Sequence, residues 1–179
     1  IFIINQCDHE KSDFDNTLEQ AQSRFGHKLI PFQYPFNQGK DFNKIIDALR
    51  MVMYEFPSDG GKPIKKAIPD SEMEKAQKMH NAIVEAAAEN DDTLMEHFFE
   101  SGTLDEIELA HGLRKGLAKL TLCPVFCCSA LKNMGSGRIM GFVSDICPAP
   151  NDRPAAKLVE GELPIQAGGP VSIFIYKTM

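Results

Sequence analysis

The chain has 179 residues, of which 43% are hydrophobic and 25% charged, as in an ordinary globular protein of one or two domains. Its net charge of −6 argues against a broadly basic surface for non-specific nucleic-acid binding. No apolar run approaches the roughly 20 residues of a membrane span, and no signal peptide is visible. Five cysteines without framework spacing favour a reducing cytoplasm over a secreted disulfide scaffold.

The first eight residues combine a predicted strand with a polar tetrad. Residues 1–4 are large and apolar, and three of them are β-branched, which predicts a strand buried on both faces. Asn5-Gln6-Cys7-Asp8 follows at the carboxyl end of this strand, where ligands bind in open α/β sheets. Alone, such a tetrad is more often an Asx-type turn. Because the chain starts with Ile inside a strand, we expect a piece of a longer polypeptide whose other strands lie upstream.

The next stretches predict one helix and two strand regions. Helical spacing of apolar residues predicts a helix over 13–26, with Gly26 as its C-terminal stop. Residues 28–36 are rich in aromatic residues and interrupted by two prolines, which is typical of an edge strand. Residues 43–56 predict a strand for most of their length, although their first half could be helical. A turn-rich loop follows over 57–63.

Three helices are predicted in the middle of the chain. Their signals are a capping box of Ser71 and Glu74 for the first, apolar spacing over 92–100 for the second, and a capping box of Thr103 and Glu106 for the third, which ends near Gly116. His80 lies on the apolar stripe of the first helix. We therefore expect a packed, hydrogen-bonded core histidine rather than a catalyst.

The last third of the chain returns to a sheet pattern. A second buried strand is predicted at 122–128, and Ser129-Ala130-Leu131-Lys132 follows it directly. A weak helix is predicted at 137–146, where two glycines lower the helix propensity. Residues 148–154 have the composition of a linker, and 171–176 look like the first strand of a further domain.

The two polar motifs, each directly after a predicted buried strand, are more specific together than either alone, and they point to guanine. Asp8 is expected to accept from the ring N–H and the exocyclic amine of guanine, whereas adenine presents an acceptor there. The Ala130 backbone N–H is expected to donate to guanine O6, where adenine carries an amino group. Asn5 is expected to tie the base-binding loop to the phosphate loop, and Ser129 to brace the loop beneath the base.

The candidate guanine-binding residues are therefore Asn5, Gln6, Asp8, Ser129, Ala130 and Leu131. No catalytic residue and no metal ligand is expected in this chain. Cys127 and Cys128 point to opposite faces of their strand and no cysteine or histidine pair has zinc spacing, so buried thiols are the simpler interpretation.

The chain resembles the elongation factor G family of translational GTPases. The matching stretches cover nearly the whole chain in the family's order, namely 13–26, Pro31-Phe32-Gln33-Tyr34-Pro35-Phe36, Arg114-Lys115-Gly116, Pro124-Val125-Phe126, Ser129-Ala130-Leu131-Lys132-Asn133 and Pro148-Ala149-Pro150. The insert between the two base-reading motifs marks this family. Release-factor and tetracycline-protection relatives match that insert less well.

The resemblance implies an α/β fold, the C-terminal part of a Ras-like P-loop GTPase sheet with an inserted α+β subdomain similar to G-prime. Residues 1–27 and 119–150 would form the GTPase part and 28–118 the insert. A linker over 151–170 and the first strand of a β-barrel domain over 171–179 would follow. In the family, the insert lies toward the ribosomal stalk protein.

The resemblance also implies a function for the full-length protein. A cytoplasmic protein would bind GTP or GDP, with Mg²⁺ held by upstream residues, and would promote ribosomal translocation in protein synthesis. This chain contains no Gly-x-x-x-x-Gly-Lys-Ser/Thr loop and no switch segments. We therefore expect it to supply guanine recognition only, to be inactive as a GTPase alone and to hold no nucleotide in isolation.

Two residues depart from the family's pattern. Gln6 stands where the family's Asn-Lys-x-Asp tetrad has lysine, which removes a positive charge, and Cys128 stands where the family usually has glycine. Both changes predict weaker guanine binding and a divergent paralogue. They keep open an alternative function, a ribosome-binding module whose parent has lost GTP hydrolysis and works through contacts alone.

Overall fold

The computed structural model describes residues 1–58, 61–152, 155–166, 168 and 169. It divides into two compact units, the first covering residues 1–147 and the second beginning at Pro148. Across the described residues, no helix is both long and apolar enough to cross a membrane. The predicted strand at 171–176 lies outside the described residues, as do two positions of the predicted loop at 57–63.

The α-helices and strands of the described residues are these, in chain order. In the first unit they are β1 (Phe2–Ile4), α1 (Phe14–Phe25), β2 (Leu29–Pro31), β3 (Gln33–Pro35), β4 (Lys44–Asp47), β5 (Val52–Glu55), β6 (Ile64–Lys66), α2 (Asp70–Ala88), α3 (Asp92–Ser101), α4 (Glu106–Lys119), β7 (Cys123–Cys127) and α5 (Ser136–Asp145). In the second unit they are β8 (Ala156–Lys157) and β9 (Glu162–Leu163), which pair antiparallel.

A parallel sheet in the order β1-β7-β2 forms one layer of the first unit. Phe2 pairs with Val125 on one side of β7, and Leu29 pairs with Cys123 on the other. The central strand is buried because helices cover it, and the Phe126 ring packs 5.0 Å from the ring of Phe142 in α5. Parallel neighbours end at the same edge of the sheet, so the segments after β1 and β7 emerge side by side.

The prediction that β1 is buried on both faces is wrong for this chain. Ile3 is 50% exposed, and Phe2 and Ile4 are half-buried. The reason is position in the sheet, because β1 pairs only with β7 within the described residues and so forms an edge. Continuous apolar residues indicate a strand but do not tell an edge strand from a central one.

The stretch predicted as one edge strand over 28–36 forms two strands in two sheets. β2 is an edge of the parallel sheet, and β3 is an edge of a four-stranded antiparallel sheet in the order β3-β4-β5-β6. Phe32 is the junction, since its N–H donates to Val125 O at 2.9 Å and its carbonyl accepts from Ala48 N at 2.9 Å. Edge positions suit the two prolines, which donate no ladder hydrogen bond.

Residues 43–56 form the hairpin of β4 and β5, so the helical alternative for their first half is wrong. Ile45 pairs with Tyr54, and Asp47 pairs with Val52. Asp47 Oδ1 accepts from Arg50 N at 3.0 Å in the connecting turn. The position of this turn could not be read from the sequence, because both strands of the hairpin are largely buried and apolar residues therefore continue through the whole stretch.

Two of the predicted helix starts are wrong. Helix α2 begins directly after Pro69, with no side-chain cap, so Ser71 and Glu74 already lie inside the helix. Proline suits a helix start because its φ is pre-set, and here the φ of Pro69 is −59°. The α3 prediction is confirmed within one residue, and Asp91 caps that helix through Thr93 N and Leu94 N.

The capping box of α4 lies two residues beyond the predicted one. Asp105 Oδ1 accepts from Glu108 N at 2.8 Å, and Glu108 Oε2 accepts from Asp105 N at 3.0 Å. The helix also runs past Gly116 to Lys119. Gly116 is needed for close packing instead, because a Cβ there would lie 2.7 Å from Asn90 Nδ2.

The other local predictions agree with the structure, apart from the burial of His80. Helix α1 begins after Asp13 and ends at Phe25 before Gly26, and α5 lies within one residue of its predicted bounds. His80 Nδ1 lies 2.8 Å from Ala48 O, so the predicted hydrogen bond is present, but the side chain is half-buried and not part of the core. The predicted fold class is also confirmed, a parallel α/β sheet combined with an α+β stretch that contributes β3 to β6 and α2 to α4.

Candidate functional site

The two polar motifs meet at the edge of the parallel sheet where β1 and β7 end. Backbone bonds extend the pairing beyond the strands, because Cys128 N donates to Ile4 O at 3.0 Å and Cys7 N donates to Cys128 O at 3.2 Å. The predicted neighbourhood of the two motifs is therefore present. It follows from the parallel register of the two strands.

Asn5 joins the two motifs through its side-chain oxygen. Its Oδ1 accepts from Gln6 N at 2.8 Å and from Ala130 N at 2.9 Å, and the Cys128 thiol lies 3.4 Å away as a weaker donor. The Ala130 N–H that we expect to meet guanine O6 thus has a partner inside the chain. A base would take this N–H by sharing it with Asn5 or by displacing the Asn5 side chain.

The motif after β7 is a tight turn held by its own hydrogen bonds. Ser129 is fully buried, and its Oγ accepts from Lys132 N at 3.2 Å. Ser129 and Met134 exchange two backbone hydrogen bonds of 2.9 Å each. Asn133 N donates to Ala130 O at 3.2 Å. These bonds fix the direction in which the Ala130 N–H points and leave the Ser129 side chain as the internal brace of the turn.

A depression of about 340 Å³ opens between the two motifs, and its lining residues are Asn5, Gln6, Asp8, His9, Glu10, Lys40 and Leu131. Asp8 is half-buried, and its carboxylate accepts no hydrogen bond from any described residue. Leu131 is 92% exposed. An unoccupied carboxylate beside a solvent-exposed apolar side chain suits a planar ring with hydrogen-bond donors along one edge.

Gln6, which stands at the family's lysine position, has a φ of 63°. This left-handed conformation is uncommon for a residue with a side chain, and where it persists the surrounding structure holds it. It turns the chain sharply between Asn5 and Asp8. Gln6 carries no charge, so the tetrad itself offers no cation to the depression.

Lys40 is a lining residue that sequence reasoning missed. It belongs to the 3₁₀ turn Gly39–Asp41 between β3 and β4, and its ammonium lies 3.6 Å from Glu10 Oε2. It follows neither β1 nor β7, so no motif position singled it out. The depression therefore draws on three segments of the chain rather than two.

The cysteines around the site are buried thiols. Burial raises the pKa of Cys127 well above its usual value and that of Cys128 to about 11, so both are protonated at neutral pH. Within the described residues, no group of His, Cys, Asp or Glu side chains has the arrangement of a metal site.

A larger cavity, of about 890 Å³, lies elsewhere in the first unit, between the β4–β5 turn, α2 and α4. Its walls include Leu49, His80 and Leu113, and Ile107 at its rim is 81% exposed. None of the predicted guanine-site residues lines it. Size alone therefore does not identify the site to which the two motifs point.

Comparison with known proteins gives the family context of this arrangement. No family model matches the chain. In sequence it is 32% identical to elongation factor G of Mycoplasma genitalium over 163 residues and 35% identical to that of Mycoplasma pneumoniae over 160 residues. These alignments cover 89% and 88% of this chain but 23% of each relative, so the chain spans about a quarter of the length of these curated proteins.

A solved structure supports the same fold. The crystal structure of a protein from Thermus thermophilus matches 84% of this chain with a TM-score of 0.74, at 21% sequence identity and over 22% of that protein's chain. The predicted resemblance is thus confirmed in sequence, and the predicted mixed α/β fold is shared with this solved structure over most of the chain.

Proposed function

We propose that this chain, which is homologous to a segment of elongation factor G and through it to the translational GTPases, forms the guanine-reading part of a GTP- or GDP-binding site. The full-length protein would bind the nucleotide, with Mg²⁺ and the phosphates held by residues outside this segment. It would act on the ribosome, in translocation during protein synthesis.

The contact between Asn5 and Ala130 carries this proposal. One hydrogen bond of 2.9 Å joins two motifs that are 125 residues apart in the chain. Asp8 and Leu131, the latter in the turn that starts at Ser129, both line one depression. A structural Asx turn would need no such partner from the other end of the chain.

The chemistry of the two motifs favours guanine over adenine. A carboxylate accepts only, and guanine presents two donors, its ring N–H and its exocyclic amine, on the edge that would face Asp8. A backbone N–H such as that of Ala130 donates only, so it suits the O6 acceptor of guanine and repels the N6 donors of adenine. Leu131, with its exposed apolar side chain, would cover one face of the ring.

The second candidate function is a ribosome-binding module of a paralogue that has lost GTP hydrolysis. Gln6 favours it, because an uncharged residue at this position removes an attraction for the nucleotide. Such a protein would use the insert, residues 28–118, as a contact surface, for example toward the ribosomal stalk protein. Ribosome-stimulated GTP turnover by the full-length protein would support the GTPase, and its absence together with ribosome binding would support the module.

The guanine site is tested by calorimetric titration of the full-length protein with GDP and with ADP. We expect binding of GDP and none of ADP at the same concentration, and a loss of GDP affinity of tenfold or more in Asp8→Ala, on the order of two hydrogen bonds to a charged group. Asp70→Ala is the matched control, since Asp70 is an exposed carboxylate at the start of α2. Equal GDP affinity in Asp8→Ala and Asp70→Ala would show that the tetrad does not read the base.

A further inference from the structure

One loop of the insert, residues 37–43, reaches both motifs of the candidate guanine site, and we call it the clasp loop. Asn37 closes it, because its Oδ1 accepts from Lys44 N at 3.0 Å and its Nδ2 donates to Asn43 Oδ1 at 3.0 Å. Phe42, 1% exposed, anchors it in the core. The clasp loop is therefore a defined element rather than a loose connection between β3 and β4.

The clasp loop holds the segment that carries the tetrad. Gly39 N donates to Cys7 O at 2.9 Å, which binds the clasp loop to the tetrad itself. Gln38 Oε1 accepts from Phe14 N at 2.8 Å and from Ser12 Oγ at 3.1 Å. Since Phe14 opens α1, the Gln38 side chain fixes the link between the tetrad and the helix that follows it.

The clasp loop also contacts the motif after β7. Lys132 Nζ donates to Lys40 O at 3.2 Å. The end of this turn also packs closely against β4, because a Cβ on Gly135 would lie 2.9 Å from Ile45 Cδ1. The two motifs are thus held by each other, through Asn5, and by a third segment that bridges them.

We propose that the clasp loop is a positioning element for the guanine base, and that Gln38 and Lys132 are its positioning residues. The clasp loop keeps the tetrad and the turn after β7 at the separation that the base requires, so the insert influences how tightly guanine is held. This inference rests on the proposed guanine site. Because Lys40 lines the depression, a displaced clasp loop would also change the wall that the nucleotide meets.

The test measures the dissociation constant of GDP for the full-length protein with changes at the two contacts that join the clasp loop to the segments of the two motifs, those of Gln38 and of Lys132. Gln38→Ala and Lys132→Met should each weaken GDP binding about fivefold, the effect of one hydrogen bond. Gln38→Glu should bind GDP as tightly as wild type, since the hydrogen bonds of Gln38 to Ser12 and Phe14 use only its acceptor oxygen. Lys132→Arg should do the same by keeping a donor toward Lys40 O.

The double variant Gln38→Ala/Lys132→Met tests whether the two residues act through one clasp or affect GDP binding independently. The bridge between the two motifs needs both contacts, so once one is removed the loss of the other should cost little, and the double variant should bind GDP about five- to tenfold more weakly than wild type. Independent losses would multiply to about 25-fold. Gln77→Ala is the matched control, because Gln77 is an exposed glutamine of the insert with one side-chain bond, to Asn81.

The outcomes separate this inference from the proposed function. Three results together support the clasp. Gln38→Ala and Lys132→Met each bind GDP more weakly, Gln38→Glu and Lys132→Arg bind it as wild type does, and the loss of affinity in the double variant is smaller than the product of the two single losses. Unchanged binding in the single variants, conservative variants that bind as weakly as Ala and Met, or a full 25-fold loss in the double variant would overturn it. Asp8→Ala in the same assay reports on the base site. If Asp8→Ala binds GDP as tightly as wild type, the guanine site is refuted. If Asp8→Ala binds GDP weakly while the Gln38 and Lys132 variants bind it normally, only the clasp is refuted.

Discussion

Asn5 Oδ1 lies 2.9 Å from Ala130 N, although the two residues are 125 positions apart in the chain. The parallel pairing of β1 with β7 makes this possible, because both strands end at one edge of the sheet. The residues between the end of β1 at Ile4 and the start of β7 at Cys123 form α1 to α4 and β2 to β6, and they return the chain to the strand next to β1. The site is thus assembled by the sheet and not by local sequence.

Gly135 is predicted to be indispensable for the turn after β7. Its φ is +92°, and a Cβ would lie 2.8 Å from Cys127 O. Gly135→Ala should therefore lower the free energy of unfolding by about 3 kcal/mol, from backbone strain and overpacking together. Denaturant titration of the chain followed by circular dichroism measures this.

Gly141→Ala provides the comparison. Gly141 lies in the interior of α5 with nothing within 4 Å of the added methyl group, so the change should stabilise the chain by about 0.5 to 1 kcal/mol. Equal effects of the two substitutions would mean that the turn after β7 does not have the geometry described.

The start of α4 gives a second prediction. Asp105→Ala should cost about 1 kcal/mol of unfolding free energy, because the Asp105 side chain caps Ile107 N and Glu108 N. Thr103→Ala should change stability by less than about 0.5 kcal/mol, since the Thr103 side chain makes no hydrogen bond with the described residues. If a urea titration showed a larger loss of stability for Thr103→Ala than for Asp105→Ala, the cap would be Thr103, as the sequence predicted.

The pH dependence of stability should carry a contribution from Asp91. The hydrogen bond from Lys115 Nζ, with backbone bonds from Leu94 and Thr93, lowers the pKa of Asp91 from 3.8 to about 2. A lowered folded-state pKa stabilises the protein above the unfolded value, so this contribution is complete above about pH 4 and is lost as the pH falls toward 2. Lys115→Met should lower the free energy of unfolding at pH 7, and its difference from wild type should shrink as the pH falls toward 2. Denaturant titrations of both proteins at a series of pH values measure this.

The part of the fold that sequence predicted well is governed by local signals. The start and end of α1 follow from Asp13 and Gly26, which act on the neighbouring turn only. The meeting of the two motifs was also predictable, because buried parallel strands in one sheet place their carboxyl ends together.

The predictions that failed depended either on contacts distant in sequence or on a choice between two neighbouring local signals. Phe32 divides one apolar stretch between two sheets through bonds to Val125 and Ala48, and neither partner can be inferred from residues 28–36. The pattern of Ser or Thr followed three residues later by Glu occurred twice by chance, while the true starts were set by Pro69 and Asp105. The clasp loop and Lys40 were missed because they follow no strand of the parallel sheet.

The most direct measurement of the central claim is a base-selectivity switch in the full-length protein. Xanthine carries a carbonyl oxygen where guanine carries its exocyclic amine, so a carboxamide at position 8 would donate to xanthine, whereas the carboxylate of Asp8 would accept from guanine. Titration of wild type and Asp8→Asn with GDP and with xanthosine diphosphate tests this exchange. We predict that wild type prefers GDP and that Asp8→Asn prefers xanthosine diphosphate, and the same preference for GDP in both proteins would contradict the assignment of Asp8 to the base.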